Sequence, residues 1–264
     1  MEFQLGGKLA LVTGSTAGIG LAIASALAGE SASVIVNGRS KERVTGAVEQ
    51  IRRKHRDAKL HEFAGDLSTP EAASQVAGRF PEVDILINNL GRYEPKPFEE
   101  LTDQDWMSTI ETNFMSGVRL SRRYLPGMKA RNWGRIIFIS SESAVNIPVE
   151  MMHYGVTKTM QIALARGLAE TTAGTAVTVN SILPGPTRSE GVGDFLGSLA
   201  KSKGVPSAAI EAEFFKTGRP GSLLQRFAPP EEVAALVVFI ASPLSSATNG
   251  AALRVEGGVL RSIL

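Results

Sequence analysis

Tyr154 and Lys158 carry the clearest prospect of chemistry in this chain of 264 residues. Four positions apart on a helix, they share a face and stand about 6 Å apart along the axis. A phenol beside an ammonium is expected to give up its proton more readily than at its ordinary pKa of about 10, because the cation favours the phenolate. A fall of about three pH units corresponds to roughly 4 kcal/mol, enough for a tyrosine to exchange protons near neutrality. Ser141 lies thirteen positions before Tyr154, where the apolar run from Ile136 to Ile139 must end as a strand, and can set a hydroxyl beside the phenol. Alone, a Tyr-x-x-x-Lys pair is a common arrangement on helix surfaces. Its meaning depends on the elements that position it.

The first of these is a short apolar run, Lys8 to Thr13, which breaks into Gly14-Ser15-Thr16-Ala17-Gly18-Ile19-Gly20 before a helical pattern continues to Ala28. Strand, glycine-rich turn and helix are the context of a dinucleotide site: the backbone can approach a pyrophosphate, and the helix N-terminus offers unpaired N–H groups. The spacing here is G-x-x-x-G-x-G. A second strand, Ser33 to Asn37, ends in Asn37-Gly38-Arg39-Ser40. No carboxylate stands there to hold a ribose 2′-hydroxyl, and Arg39 can pair with a 2′-phosphate, which favours NADP(H) over NAD(H). A third strand, Lys59 to Ala64, leads to Asp66-Leu67, where Asp66 can accept from an adenine amino group or cap the next helix. A fourth, Val83 to Ile87, runs into Asn88-Asn89-Leu90-Gly91.

Asp103 to Ala130 is expected to form one long helix with Asn113 inside it, an unfavourable residue for a helix interior whose amide can hold a water or a backbone group. Gly134 to Ser140, Ala176 to Leu183 and Ala251 to Val255 complete about seven strands. Strands alternating with helices predict an α/β fold: a Rossmann-like, doubly wound parallel sheet with helices on both faces, in a single domain over residues 1–264. Residues 188–228 break that rhythm with glycines and prolines between Phe195, Leu196, Leu199, Phe214, Phe215 and Leu223. They are expected to form a mobile flap over a pocket, or else two short packing helices. The helix opened by Pro230 is apolar nearly all round, which suits the core or a subunit contact.

Composition narrows the function. With no cysteine, disulfides and thiolate metal sites are excluded, and His55, His61 and His153 lack metal-ligand spacing, so no metal is expected. A net charge of +2 without a basic stripe disfavours nucleic acid. The longest apolar stretch is too short for a bilayer, and the N-terminus lacks a signal-peptide pattern, so a soluble, cytoplasmic protein is expected.

In order and at natural spacing, Thr13-Gly14-x-x-x-Gly18-x-Gly20, Asn88-Asn89-x-Gly91, Asn113, Ser141, Tyr154-x-x-x-Lys158 and Pro184-Gly185 make the chain resemble the short-chain dehydrogenases/reductases from about Leu5 to Leu260. The resemblance implies an oxidoreductase that moves a hydride between nicotinamide and a carbonyl or alcohol carbon, such as a 3-oxoacyl thioester or another small ketone. Tyr154 is then the general acid/base, and Lys158 lowers its pKa and holds the nicotinamide ribose. Ser141 binds the substrate oxygen, and Asn113 holds a relay water. Gly14, Ser15, Thr16, Gly18, Ile19 and Gly20 line the pyrophosphate, Asp66 and Leu67 the adenine, and Asn89 and Gly91 the adenosine ribose. Pro184, Gly185 and Thr187 face the nicotinamide, with Ser189 near its carboxamide. A homotetramer or homodimer is implied. Leu90 departs from the family's usual alanine. Dehydration or epimerisation at the same site, and a catalytically silent dinucleotide-binding regulator, stay open as alternatives. Arg92, Tyr93, Glu142, Ser143, Met151 and Met152 are expected to shape the substrate pocket, and Arg188 is placed to anchor an acidic substrate or to sit at the surface.

Overall fold

The strands follow from short β-branched and aliphatic runs, and the layers from which face of each run is apolar. In the computed structural model, which describes residues 2–263, seven strands form one sheet. They are β1 (Leu9–Val12), β2 (Ser33–Gly38), β3 (Leu60–Ala64), β4 (Ile85–Asn88), β5 (Gly134–Ile139), β6 (Val177–Pro184) and β7 (Ala252–Val255). The order is β3-β2-β1-β4-β5-β6-β7, and every pairing is parallel. The chain reverses direction across the sheet between β1 and β4, so a crevice opens at their carboxyl ends.

Alternate residues of each strand feed opposite layers. Ala10 and Val12 of β1 join Val34, Val36, Ile85, Ile87, Ile137 and Ile139 on one face. That face is covered by α1 (Gly18–Gly29), α2 (Lys41–Lys54) and α9 (Pro230–Ala241). Leu11, Ile35, Leu86, Ile136 and Phe138 point the other way. They meet side chains of α3 (Pro70–Arg79), α5 (Ser116–Ala130) and α6 (Met152–Glu170). Each such fully buried aliphatic side chain contributes about 1.5–3 kcal/mol. The apolar helix α9 buries Val233, Val237 and Ile240 in the first layer, while Ala235 stays exposed.

One expectation changes, and for residues 188–228 the structure takes the second alternative, packing helices. The long helix from Asp103 is not continuous: α4 (Asp103–Ile110) and α5 are joined by a π-helical turn, Glu111–Met115. Asn113 sits in that turn, buried, with its side chain turned to partners outside the helix. Residues 188–228 fold as α7 (Glu190–Lys203), α8 (Ser207–Glu213) and a π-helical turn, Phe214–Gly218. Leu196, Ala200, Ile210, Phe215 and Phe227 give this segment a small core of its own, with Phe214 stacked on Phe227. The side chains of Phe195 and Leu199 lie outside the described residues.

Candidate active site

The glycine turn between β1 and α1 is shaped by its own backbone needs. Gly14 and Gly18 have φ of +61° and +54°, where an L side chain is strained. A Cβ on Gly20 would stand 2.4 Å from the Gly14 carbonyl oxygen and 2.5 Å from Asn89 Nδ2. Asn89 stitches the end of β4 to this turn: its Nδ2 donates to the carbonyls of Thr13 (2.9 Å) and Gly14 (3.1 Å), and its N–H to Thr13 Oγ1 (2.9 Å). Asn37 stitches from the other side, accepting from Gly14 N–H (3.0 Å) and donating to the carbonyls of Phe63 and Gly65. The hydroxyl of Ser15 is turned inward, donating to Val12 O at 2.8 Å, and its N–H bonds Asn37 O. Ile19 packs against the core.

In front of the turn lies a cleft of about 660 Å³. Of the residues singled out in the sequence, Gly14, Thr16, Arg39, Asp66, Leu67 and Gly91 line it. Ser40, Arg43, Leu90 and Arg92 line it too. Three guanidinium groups against one carboxylate suit an anionic ligand. Arg43 was not singled out in the sequence, although it falls in the first turn of α2, four residues past Arg39. Ser40 caps α2, its hydroxyl accepting from Arg43 N–H. Asp66 accepts from Ser68 N–H (3.0 Å) and Ser68 Oγ (2.7 Å), and Thr69 caps α3 instead. Leu90 leans over Gly14.

Lys158 joins this cleft to the reactive residues. A Cβ on Gly91 would lie 3.4 Å from Lys158 Nζ. Nζ itself donates to Ile139 O at 2.8 Å and stands 5.6 Å from the centre of the Tyr154 ring. Ser141 lies two residues past β5, its Oγ accepting from Ser143 N–H at 3.1 Å, and its side chain is close enough to Tyr154 to draw the phenol's pKa down. Asn113 grips the loop after β4: its Oδ1 accepts from Arg92 N–H (2.8 Å), and its Nδ2 donates to Arg92 O (3.0 Å) and Thr157 Oγ1 (3.0 Å). Its backbone carbonyl accepts from buried Gln161 Nε2. Gln161 was not singled out in the sequence, yet it is the one uncharged amide on the Tyr154-Lys158 face one turn further on.

The electrostatics reverse one expectation. Burial pushes Tyr154 up to about 12, with the Glu142 and Tyr93 charges acting the same way, while the Ser141 hydrogen bond and the Arg219 charge pull down. Burial likewise pushes Lys158 down to about 7. Nζ is held at a backbone carbonyl and over the ring face, so desolvation of both groups outweighs the expected pull of a cation on the phenol.

Pro184 ends β6, Gly185 and Thr187 follow it, and none of the three lines the cleft described above. Gly185 packs on the backbone of Glu256, where a Cβ would lie 2.4 Å from its carbonyl oxygen. Thr187 pairs with Ala228 at the base of the 188–228 segment. Ser189 caps α7, its Cβ 3.3 Å from a Cβ built on Gly18. Arg188 is engaged with Glu211 and lies over Phe227. Tyr93 meets the Tyr154 ring edge to face at 6.1 Å. His153 is buried on another face of α6, packed against Trp106, and burial lowers its pKa. Among the described residues no cluster of His, Cys, Asp or Glu is arranged to hold a metal, and no helix is long and apolar enough to cross a membrane.

A model of the short chain dehydrogenase family matches residues 8–196, and the chain belongs to that family. It is 50% identical to YvaG, an uncharacterized oxidoreductase of Bacillus subtilis, with 100% of both chains covered. It is 32% identical to a 3-oxoacyl-acyl-carrier-protein reductase of Aquifex aeolicus, covering 98% of this chain and 100% of that one. Among solved structures, L-sorbose reductase from Gluconobacter frateurii, complexed with NADPH and L-sorbose, superposes with a TM-score of 0.93 at 32% identity, covering 100% of both chains.

Proposed function

We propose that this protein is an NADP(H)-dependent oxidoreductase that interconverts a ketone and a secondary alcohol, with Tyr154 as the proton-transferring residue. The carrying observation is the junction at Gly91, where Lys158 brings the Tyr154–Ser141 pair against a cleft lined by Arg39, Arg43 and the glycine turn. NADPH fits the donor set: two left-handed glycines leave room for a pyrophosphate, and Arg39 with Arg43 suits a 2′-phosphate. When bound, that group supplies a hydride to the carbonyl carbon.

The chain's own residues do the rest. Ser141 and Tyr154 hold the carbonyl oxygen. As the carbon accepts the hydride's electron pair, the C=O π pair moves to oxygen, which takes the phenolic proton of Tyr154. A phenol kept protonated by burial is the form needed for that donation. Lys158, with its pKa near 7, can return a proton toward the phenolate. Asn113, Thr157 and Gln161 fix the turn that faces this group. The same reading makes the 188–228 segment the cover of the substrate end. A cysteine-free composition supports a cytoplasmic setting. The partly exposed Leu236 and Phe239 of α9 support a dimer or tetramer.

The test is NADPH oxidation against a panel of small ketones, with Tyr154→Phe alongside. The phenylalanine variant is expected to bind NADPH while losing about 10²–10⁴ of turnover. Full turnover by that variant sinks the reading.

A further inference from the structure

Glu142 follows Ser141 directly in the chain, and its side chain is only 5% exposed. One carboxylate oxygen, Oε1, accepts from Arg219 Nε at 2.8 Å. The other, Oε2, is enclosed and has no hydrogen-bond partner. Arg219 comes from the end of the 188–228 segment, just past the Phe214–Gly218 turn, with its side chain 13% exposed. It also approaches Glu150 at 3.7 Å and donates to Gly218 O. The charges of Glu142 and Arg219 both act on Tyr154, so the pair stands at the reacting end of the site.

A desolvated carboxylate oxygen without a donor is costly, and a fold keeps one where something else completes it. The surroundings restrict what that can be. Two carboxylates, Glu142 and Glu150, face one guanidinium, so an acidic substrate is repelled. A plain ketone brings no donor for Oε2. A hydroxyl donates to a carboxylate and accepts from a guanidinium, and so meets both groups. The Glu142 charge is felt at Tyr154, so its carboxylate lies near enough to meet a substituent close to the carbonyl that Tyr154 would bind.

We infer that the substrate is a neutral α-hydroxy ketone, or the vicinal diol it becomes, recognised by Glu142 and Arg219; this rests on the oxidoreductase reading above. The hydroxyl donates to Glu142 Oε2 and accepts from Arg219. Since Oε2 is shut from solvent in the ligand-free fold, the Glu142–Arg219 pair has to open for the hydroxyl to reach it. Glu142 and Arg219 are thereby specificity-determining residues, distinct from the proton-transferring group.

The experiment compares 1-hydroxy-2-butanone, 2-butanone and 3-oxobutanoate as substrates with NADPH, reading kcat/KM for the wild type and for Glu142→Gln. The wild type is expected to favour the hydroxy ketone over 2-butanone by about a hundredfold, with 3-oxobutanoate poorest. Glu142→Gln keeps the shape and the Arg219 contact, and is expected to shrink the hydroxy ketone preference at least about tenfold, chiefly through KM. A wild-type ratio near one, a preference for 3-oxobutanoate, or a ratio that Glu142→Gln leaves within twofold overturns the inference while leaving the oxidoreductase reading standing. Failure to bind NADPH by fluorescence, together with no turnover of any of the three, removes both.

Discussion

Replacing Lys158 with methionine is expected to make the ligand-free protein more stable while abolishing its turnover. The side chain is 4% exposed, and burial takes its pKa from 10.5 to about 7. At about 1.4 kcal/mol per pH unit, that difference makes the protonated amine cost the fold about 5 kcal/mol below pH 7. The sign follows from proton binding. Between pH 7 and 10.5 the unfolded chain holds a proton that the folded one has released, so stability rises with pH across that window, and below it the full cost is present. Methionine fills similar volume without a charge, but leaves Ile139 O without its 2.8 Å donor, a loss of about 1–3 kcal/mol. The net gain at pH 6.5 is therefore about 2–4 kcal/mol, or a rise in Tm of roughly 5–15 °C for a chain of this size. At pH 9.5 only about 1.4 kcal/mol of the cost is left, and the two proteins should melt together or in reversed order. Thermal denaturation of both proteins at the two pH values decides it. A variant no more stable than its parent at pH 6.5, or a gap that ignores pH, refutes the account of Lys158 as a desolvated amine.

Three further substitutions address the cleft. Gly20→Ala drives a methyl against the Gly14 carbonyl and the doubly bonded Asn89 amide. It should cost about 1–3 kcal/mol in thermal melts and weaken NADPH binding, and an unchanged melt would show that the turn yields more easily than its hydrogen bonds suggest. Arg39→Ala and Arg43→Ala should each weaken NADPH by roughly tenfold or more, from about 1.5–3 kcal/mol per charged hydrogen bond, with far less effect on NADH. Equal losses for both dinucleotides in fluorescence titrations would exclude a role at the 2′-phosphate.

The sheet was legible because most strands are short aliphatic runs closed by a glycine, asparagine, serine or proline, and all seven lie within a residue or two of the expected positions. The proposed reactive group could be put forward from the sequence because Ser141, Tyr154 and Lys158 depend on local spacing. What escaped depends on contacts across the chain. The π-helical turn at Asn113 cannot be read from α-helical periodicity, since Arg92, Thr157 and Gln161 pull the asparagine away from it. The pKa of Tyr154 was misjudged because spacing shows a neighbouring cation but not how deeply both groups are buried. Arg219 went unnoticed because 77 residues separate it from Glu142.

The stitch made by Asn89 also sets an order of events in time. β1, β2 and β3 come from one contiguous stretch of chain and can pair early, but β1 meets β4 only after a loop of some 75 residues closes, pinned where Leu9 N–H donates to Asp84 Oδ2 at 2.9 Å. Until that closure the carbonyls of Thr13 and Gly14 lack the amide that holds them, so the glycine turn is not yet a cradle. During refolding, competence to take up a dinucleotide should therefore lag behind the first helical signal and arrive with the docking of the fourth strand.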